Sequence, residues 1–174
     1  LLKVSKLETL NLSDTKITDT GIGLMLEMKN LKNLILRDVK VTETGMAQIG
    51  QMTNLESLIL DDSPVTDKGL SSLALPKLKM LSLVKCTKIT GNGLTIALSQ
   101  PSLEEVNLAH TKSGDDIVMG MLEQIKNLKK IDFSGTSVSD VGLPQLAACK
   151  KLETVILADT KVTDKGLDDL AKMP

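Results

Sequence analysis

Few side chains in this sequence are suited to acid–base chemistry. His110 is the only histidine, and imidazole is the side chain that ordinarily titrates near neutral pH. Asp132 and Asp115 are the carboxylates that could orient its ring. Catalysis also requires a nucleophile held beside the base, and no serine or thiol is spaced to supply one. The sequence therefore predicts a protein that is not an enzyme.

Aspartates recur at regular positions and could form a metal site. They occur at Asp14, Asp38, Asp62 and Asp159, with Asp61 as an additional carboxylate. Clustered carboxylate oxygens are typical ligands of Ca²⁺. However, basic residues that could neutralise them lie close by, at Arg37, Lys40 and Lys85, and the sequence lacks a glycine-rich calcium loop. We therefore expect neither a metal ion nor another cofactor.

The two cysteines, Cys86 and Cys149, do not have the spacing of a metal site. We expect both to be unpaired, because the repeats described below place one beside a strand and the other on a helix. Free thiols favour a cytoplasmic location, although export from a bacterium stays open. With 21 basic and 22 acidic residues, the chain should not attract nucleic acid. No apolar run is long enough for membrane insertion.

The sequence repeats itself along its whole length. The segment LETLNLSDTKITDTG (7–21) returns as LETVILADTKVTDKG (152–166), with ten of fifteen positions identical. Seven repeats begin at Leu7, Leu31, Leu55, Leu78, Leu103, Leu128 and Leu152. We assign residues 1–174 to one domain in which residues 1–6 are the tail of a preceding repeat. Because neither end has a polar capping unit, we expect the native array to continue or its ends to pair with another copy.

Each repeat contains two elements of different periodicity. Segments such as LETLNL and LESLIL alternate apolar and polar residues, which predicts a short strand with one buried face. Segments such as VTDKGLDDLAKM have apolar residues three or four positions apart, which predicts a short amphipathic helix. Thr18, Thr66 and Thr163 stand where a helix N-cap is expected. Such small elements bury their apolar faces only by stacking.

These features resemble the leucine-rich repeat family. The resemblance implies an α/β solenoid, a right-handed horseshoe arc with a parallel sheet on its concave face and short helices on its convex face. The column after each strand holds Thr, Val, Ser or Cys (residues 15, 39, 63, 86, 111, 136 and 160). With the ITDxGL segment, this column resembles the cysteine-containing subclass of F-box-type substrate receptors and its Thr-rich bacterial relatives. We expect its hydroxyl and thiol groups to bond the neighbouring loop backbone.

Repeats four and five depart from the pattern. Repeat four has an extra residue in CTKITGNGL, where Gly91 replaces the acidic residue that starts the helix. Repeat five, HTKSGDDIVMGMLEQI, has one insertion and carries Val118 at the usual glycine position. The change is either a tolerated loop variation or an altered rim that receives a ligand.

Residues between the strand leucines should face the concave surface. One column alternates Glu and Lys in all seven repeats, which predicts a ladder of charges between neighbouring strands. In the mid-strand column, Ile35 and Ile59 are adjacent and would join Met80 and Val84 in an apolar patch, a common mark of an interaction site. The predicted partner-binding surface comprises Asn11, Ile35, Arg37, Ile59, Asp61, Met80, Val84, Lys85, Asn107, His110, Asp132 and Ile156.

The sequence predicts a non-catalytic protein–protein interaction module that binds its partner on this surface. A structural spacer within a larger surface or multidomain protein is an alternative, since Tyr and Trp, which dominate interface hot spots, are absent. A further alternative is the substrate-recognition part of an F-box-like ubiquitin ligase. Partner identity and oligomeric state stay open.

Overall fold

Strands and short helices alternate along the chain. The computed structural model describes residues 6–90, 93–115, 125–146 and 149–171. The strands are β1 (Thr9–Asn11), β2 (Asn33–Ile35), β3 (Ser57–Ile59), β4 (Met80–Ser82), β5 (Glu105–Asn107), β6 (Lys130–Asp132) and β7 (Thr154–Ile156). The helices are α1 (Asp19–Met25), α2 (Glu43–Ile49), α3 (Asp67–Leu70), α4 (Leu94–Leu98), α5 (Leu143–Leu146) and α6 (Asp164–Leu170).

The strands form one parallel sheet in sequence order, as predicted. Thr9 pairs with Asn33, and Asn33 pairs in turn with Ser57. Along the sheet, paired residues are 24, 24, 23, 25, 25 and 24 positions apart. These offsets equal the spacings of the leucines that open the repeats. Each repeat therefore adds one strand to the sheet.

The core is a continuous aliphatic layer between the sheet and the helices. Leu34, Leu58 and Leu81, at the centres of successive strands, are fully buried. Met46 and Leu70 join the same cluster from α2 and α3. Stacking in this way buries apolar surface that a single repeat would expose.

The chain's one aromatic side chain lies inside this core. Phe133 is 1% exposed and follows β6, at the position where the other six repeats have leucine. The aromatic ring is thus core packing in the sixth repeat.

Threonine hydroxyls cap several helices. The side chains of Thr66 and Thr163 accept hydrogen bonds from backbone amides of the first helical turn, as predicted, and Thr42 does the same. Thr18 is the N-cap residue of α1, as predicted, but its side chain makes no capping hydrogen bond. In the part of the chain that the structure describes, no helix is long and apolar enough to cross a bilayer.

The irregular repeats are described in part. Their strands pair normally, and the 25-residue offsets from β4 to β5 and from β5 to β6 accommodate the extra residues. Gly91 and Val118 lie outside the described residues. The alternative of a ligand-binding rim in repeat five therefore stays a prediction.

Candidate functional site

The mid-strand column lies on the open face of the sheet, where strand pairing brings its members together. Ile35 pairs with Ile59, and Ile59 pairs with Ser82. Asn11 is exposed, whereas both isoleucines are half-buried. Ser82 is only 7% exposed, so the expectation of an open column is wrong there. Its hydroxyl turns sideways to donate a hydrogen bond to Asp61.

A groove of about 460 Å³ crosses the middle of this face. We call it the central groove. Its apolar wall comes from Ile59, Met80 and Val84, which are all half-buried. Its other lining residues are Arg37, Asp61, Asp62, Leu81, Ser82, Lys85, Glu105, Val106, Asn107, Lys130 and Asp132. Three strands, β4, β5 and β6, thus supply most of one concavity.

The structure corrects the predicted role of Asp61. Its side chain is 8% exposed, so it is largely buried and not an exposed member of the predicted partner-binding surface. One oxygen accepts hydrogen bonds from Ser82 Oγ at 2.5 Å and the Val84 amide at 3.1 Å. The other accepts from Arg37 Nη2 at 3.1 Å. A buried carboxylate is tolerated when it is paired and hydrogen-bonded in this way, so Asp61 fixes the shape of the groove.

Polar residues of the mid-strand column are oriented by their own backbone. The Oδ1 atoms of Asn11, Asn107 and Asp132 each accept a hydrogen bond from the amide two residues later, at 2.8–2.9 Å. These bonds lock the side-chain planes and define which atom of each asparagine amide is the oxygen. The Asn107 NH₂ group and the second Asp132 oxygen consequently face away from the backbone.

Four predicted surface residues lie outside the lining of the central groove: Asn11, Ile35, His110 and Ile156. His110 is exposed, and its ring stands over Gly135. Asp115, one of the two carboxylates considered as its partner, instead accepts hydrogen bonds from the Ser139 amide and hydroxyl at 2.8 and 2.6 Å. The structure therefore contradicts pairing of Asp115 with His110.

The two cysteines form no disulfide, as predicted, and both are buried. Cys86 Sγ donates to the Leu60 carbonyl at 3.1 Å, and burial raises the pKa of this thiol to about 12. Burial also raises the pKa of Cys149. Cys149 lies beyond the end of α5 and not within it. Neither thiol is ionised at neutral pH, so neither is a ready nucleophile or metal ligand.

Comparison with known proteins agrees with this geometry. Residues 5–25, 51–74 and 148–171 match a family model described as Leucine Rich repeat. The chain has a leucine-rich repeat fold. A crystal structure of internalin C2 from Listeria monocytogenes matches it with a TM-score of 0.73 and 24% sequence identity, over 96% of this chain and 67% of that one. No curated protein matches the sequence significantly.

The residue at the exit of each strand, which is aspartate in four repeats, has a conformational role that was not predicted. We call it the strand-exit row: Asp14, Asp38, Asp62, Lys85, His110, Gly135 and Asp159. Every member has a positive φ, between 48° and 65°. Aspartate tolerates this left-handed conformation and glycine adopts it freely. The glycine at this position in repeat six is the sequence feature that indicates the left-handed conformation.

Within the described residues, no group of three or more His, Cys, Asp or Glu could hold a metal ion.

A second acidic row, the helix-start row, joins neighbouring leucine-rich repeats. Its members are Asp19, Glu43, Asp67, Asp115, Asp140 and Asp164. Asp67 accepts hydrogen bonds from the amide and hydroxyl of Thr90 in the next repeat, at 3.1 and 2.5 Å. Asp19 binds Thr42 in the same way, and Asp140 binds Thr163. The sequence pattern indicates an acidic residue at the start of the helix but gives no sign of this link to the next repeat.

The predicted ladder of alternating charges is a set of separate pairs. Lys32 contacts Glu8 at 3.0 Å, and Lys79 contacts Glu56 at 2.7 Å. The third pair, Lys129 with Glu104, is also 2.7 Å long. In the second and third pairs, the contact lowers the pKa of the glutamate and raises the pKa of the lysine. The pairs are largely exposed, so they set register more than stability.

The small polar column after the strands bonds backbone carbonyls, as predicted. Four threonine hydroxyls (residues 15, 111, 136 and 160) donate to the carbonyl three residues earlier in their own repeat. Ser63 and Cys86 instead donate to Leu36 and Leu60 of the preceding repeat. Serine and cysteine thus tie consecutive repeats together, whereas threonine closes the turn within one.

Proposed function

We propose that this leucine-rich repeat protein binds a protein partner in the central groove and performs no catalysis itself. Leucine-rich repeat domains are generally non-enzymatic interaction modules, which supports a role in protein–protein interaction. The observation that carries the proposal is the groove itself. It joins a contiguous, half-exposed apolar wall to polar groups that are held in fixed orientations.

The apolar wall supports binding because its side chains are contiguous on the surface. Ile59, Met80 and Val84 line one side of the groove, and Ile35 adjoins Ile59 on the neighbouring strand. Contiguous apolar surface on the outside of a protein often marks an interaction site. The hydrogen bonds of Asp61 hold Ser82 and Val84 in place. A partner would therefore meet a largely preformed surface, which reduces the entropy lost on binding.

The described residues also support a non-catalytic role. His110 lacks the predicted bond to Asp115, which is engaged by Ser139. The two thiols are buried and protonated at neutral pH. No described nucleophile therefore stands beside an oriented base, as acyl or phosphoryl transfer would require.

A matched pair of triple variants tests the proposal. The concave variant replaces Ile35, Ile59 and Val84 by lysine. The control replaces Leu24, Val141 and Leu167 by lysine. These residues are 52–62% exposed and lie in helices or just before one. Both variants gain the same charge, and circular dichroism checks that both fold.

Affinity capture followed by isothermal titration with the captured partner then separates the outcomes. We expect the wild type and the control variant to bind the partner equally and the concave variant to lose binding. Equal binding by the concave variant would refute the groove as the binding site.

A structural spacer is the second candidate function. It is favoured by one observation, the burial of Phe133, which leaves the concave face without an aromatic anchor. A spacer would capture no partner, and deletion of whole repeats would leave its function intact. Nothing in the described residues bears on the F-box-like alternative.

A further inference from the structure

The central groove contains one carboxylate that no cation balances. Three basic and four acidic side chains line it. Arg37 contacts Asp61 at 3.1 Å. Two further pairs, each 3.8 Å long, are Lys85–Asp62 and Lys130–Glu105. Of the described acidic residues in this lining, only Asp132 forms no ion pair.

Asp132 is oriented so that its free oxygen is available to a ligand. Its Oδ1 atom accepts the Ser134 amide at 2.8 Å, which leaves Oδ2 without a hydrogen-bond donor among the described residues. The neighbouring Asn107 pairs with Asp132 across β5 and β6. Its Oδ1 atom is occupied by the Ala109 amide, so its NH₂ group is also free of partners in the described part of the chain. Both residues are half-buried.

We infer that the groove recognises a segment of a protein partner that presents an apolar side chain together with a lysine or arginine. The apolar side chain packs against Ile59, Met80 and Val84, and the cation contacts Asp132. This inference rests on the proposed function and adds the chemistry of the partner. A cation supplies the one charge that the groove lacks, whereas an acidic side chain would meet Asp132 without compensation.

The geometry also sets the spacing in the partner. Ile59 and Asp132 lie in register on β3 and β6, three strands apart. Neighbouring strands are separated by ~4.8 Å, so the two sites are ~14 Å apart. An extended segment advances ~3.4 Å per residue. Its apolar and basic residues should therefore be about four positions apart.

Selection from a displayed library of random peptides tests the inference. The wild-type protein serves as bait, and the concave triple variant at Ile35, Ile59 and Val84 serves for counter-selection. We expect the selected peptides to contain Leu, Ile, Val or Met and, about four positions away, Lys or Arg. Selected peptides are then synthesised and their dissociation constants measured at low and high salt.

Asp132→Asn is the decisive variant because it removes the charge and keeps the Oδ1 acceptor for the Ser134 amide. Its matched control, Asp159→Asn, removes the same charge outside the groove lining. Asp132→Asn should weaken peptide binding by about threefold to tenfold and abolish most of its salt dependence. Asp159→Asn should change neither.

The outcomes separate the inference from the function on which it rests. Groove-dependent peptides without a basic residue, or peptides rich in Asp and Glu, would overturn the inference and leave the groove as an interaction site. Equal affinity of wild type and Asp132→Asn would overturn it as well. Failure to select any peptide that discriminates against the concave variant would refute recognition of a linear segment, while the capture experiment above decides separately whether the groove binds a protein.

Discussion

The two acidic rows of this protein have similar residues but different tasks. The strand-exit row is conserved in backbone conformation, because all seven members have positive φ. The helix-start row is defined by its bonds, because four of its carboxylates each bind a threonine or serine that precedes the helix of the next repeat. One row shapes the chain within a repeat, and the other connects repeats.

The difference explains which replacements each row contains. The strand-exit row includes Lys85, His110 and Gly135 in place of aspartate, and the left-handed turn is kept in all three. In the helix-start row, Glu43 contacts Lys68 at 2.5 Å and makes no described bond to Thr66, the corresponding cap. A conformational role depends on backbone tolerance, whereas a bridging role depends on a carboxylate at a fixed reach.

Removal of a bridging carboxylate should have the largest effect. Asp115→Ala leaves the amide and hydroxyl of Ser139 without their partly buried acceptor. Loss of hydrogen bonds to a charged acceptor should reduce the free energy of unfolding by about 2 kcal/mol. Urea unfolding followed by circular dichroism measures it. Asp159→Asn, which keeps a residue that tolerates positive φ, is the control and should change stability by less than about 0.5 kcal/mol. An equal loss in both variants would contradict the distinction between the rows.

A side chain at the glycine of the strand-exit row should have the next largest effect. Gly135→Ala places a Cβ atom at φ +65° and against the His110 ring. The strained backbone should cost about 1–2 kcal/mol, measured by the shift of the urea midpoint. In a His110→Ala background the steric part disappears, so Gly135→Ala should cost less there. The same cost in both backgrounds would show that the ring makes no contribution.

Lys85 offers a substitution in the opposite direction. Lysine adopts the left-handed conformation at a cost that asparagine largely avoids. Lys85→Asn should therefore raise the free energy of unfolding by about 0.5–1 kcal/mol, despite loss of the exposed 3.8 Å contact with Asp62. Thermal unfolding compared with Lys88→Asn, which changes the same residue type outside the row, provides the check. A destabilised Lys85→Asn would mean that the ion pair outweighs the backbone.

Acid should weaken the hydrogen bonds that Asp140, in the helix-start row, makes with the next repeat. Hydrogen bonds from the Thr163 hydroxyl and amide lower the pKa of this carboxyl below its usual range. Because the folded-state pKa is depressed, this stabilisation is present above the unfolded pKa of about 3.9 and is lost as pH falls through the folded-state value. The melting temperature of the wild type should therefore fall more between pH 5 and pH 2 than that of Asp140→Asn. Parallel curves for the two proteins would rule out this contribution.

The fold could be predicted from the sequence because it depends on spacing. Leucines at intervals of 23–25 residues fix strand order, register and the buried face. Period-two and period-three-to-four patterns follow directly from strand and helix geometry. The short strands and the small polar column followed from the same reasoning.

The site was predicted less completely, because two kinds of information are absent from periodicity. Burial of Asp61 depends on contacts with the side chains of Arg37 and Ser82 in the repeats on either side. The conformation of the strand-exit row concerns φ, which a count of apolar positions does not report. The carboxylates of that row were consequently interpreted as possible ligands before the structure showed their backbone.

The links between repeats also divide the array. Both the Glu–Lys pairs and the helix-start carboxylate bonds join repeat one to two, three to four, and five to six, and a helix-start carboxylate also joins six to seven. Between repeats four and five the described residues contribute neither kind of link, and Asn127 donates a hydrogen bond to the Pro101 carbonyl there. Under mechanical load, the molecule should yield first at this seam. The seam lies between β4 and β5, inside the central groove, so tension along the array would separate the apolar wall from Asp132 before any repeat unfolds.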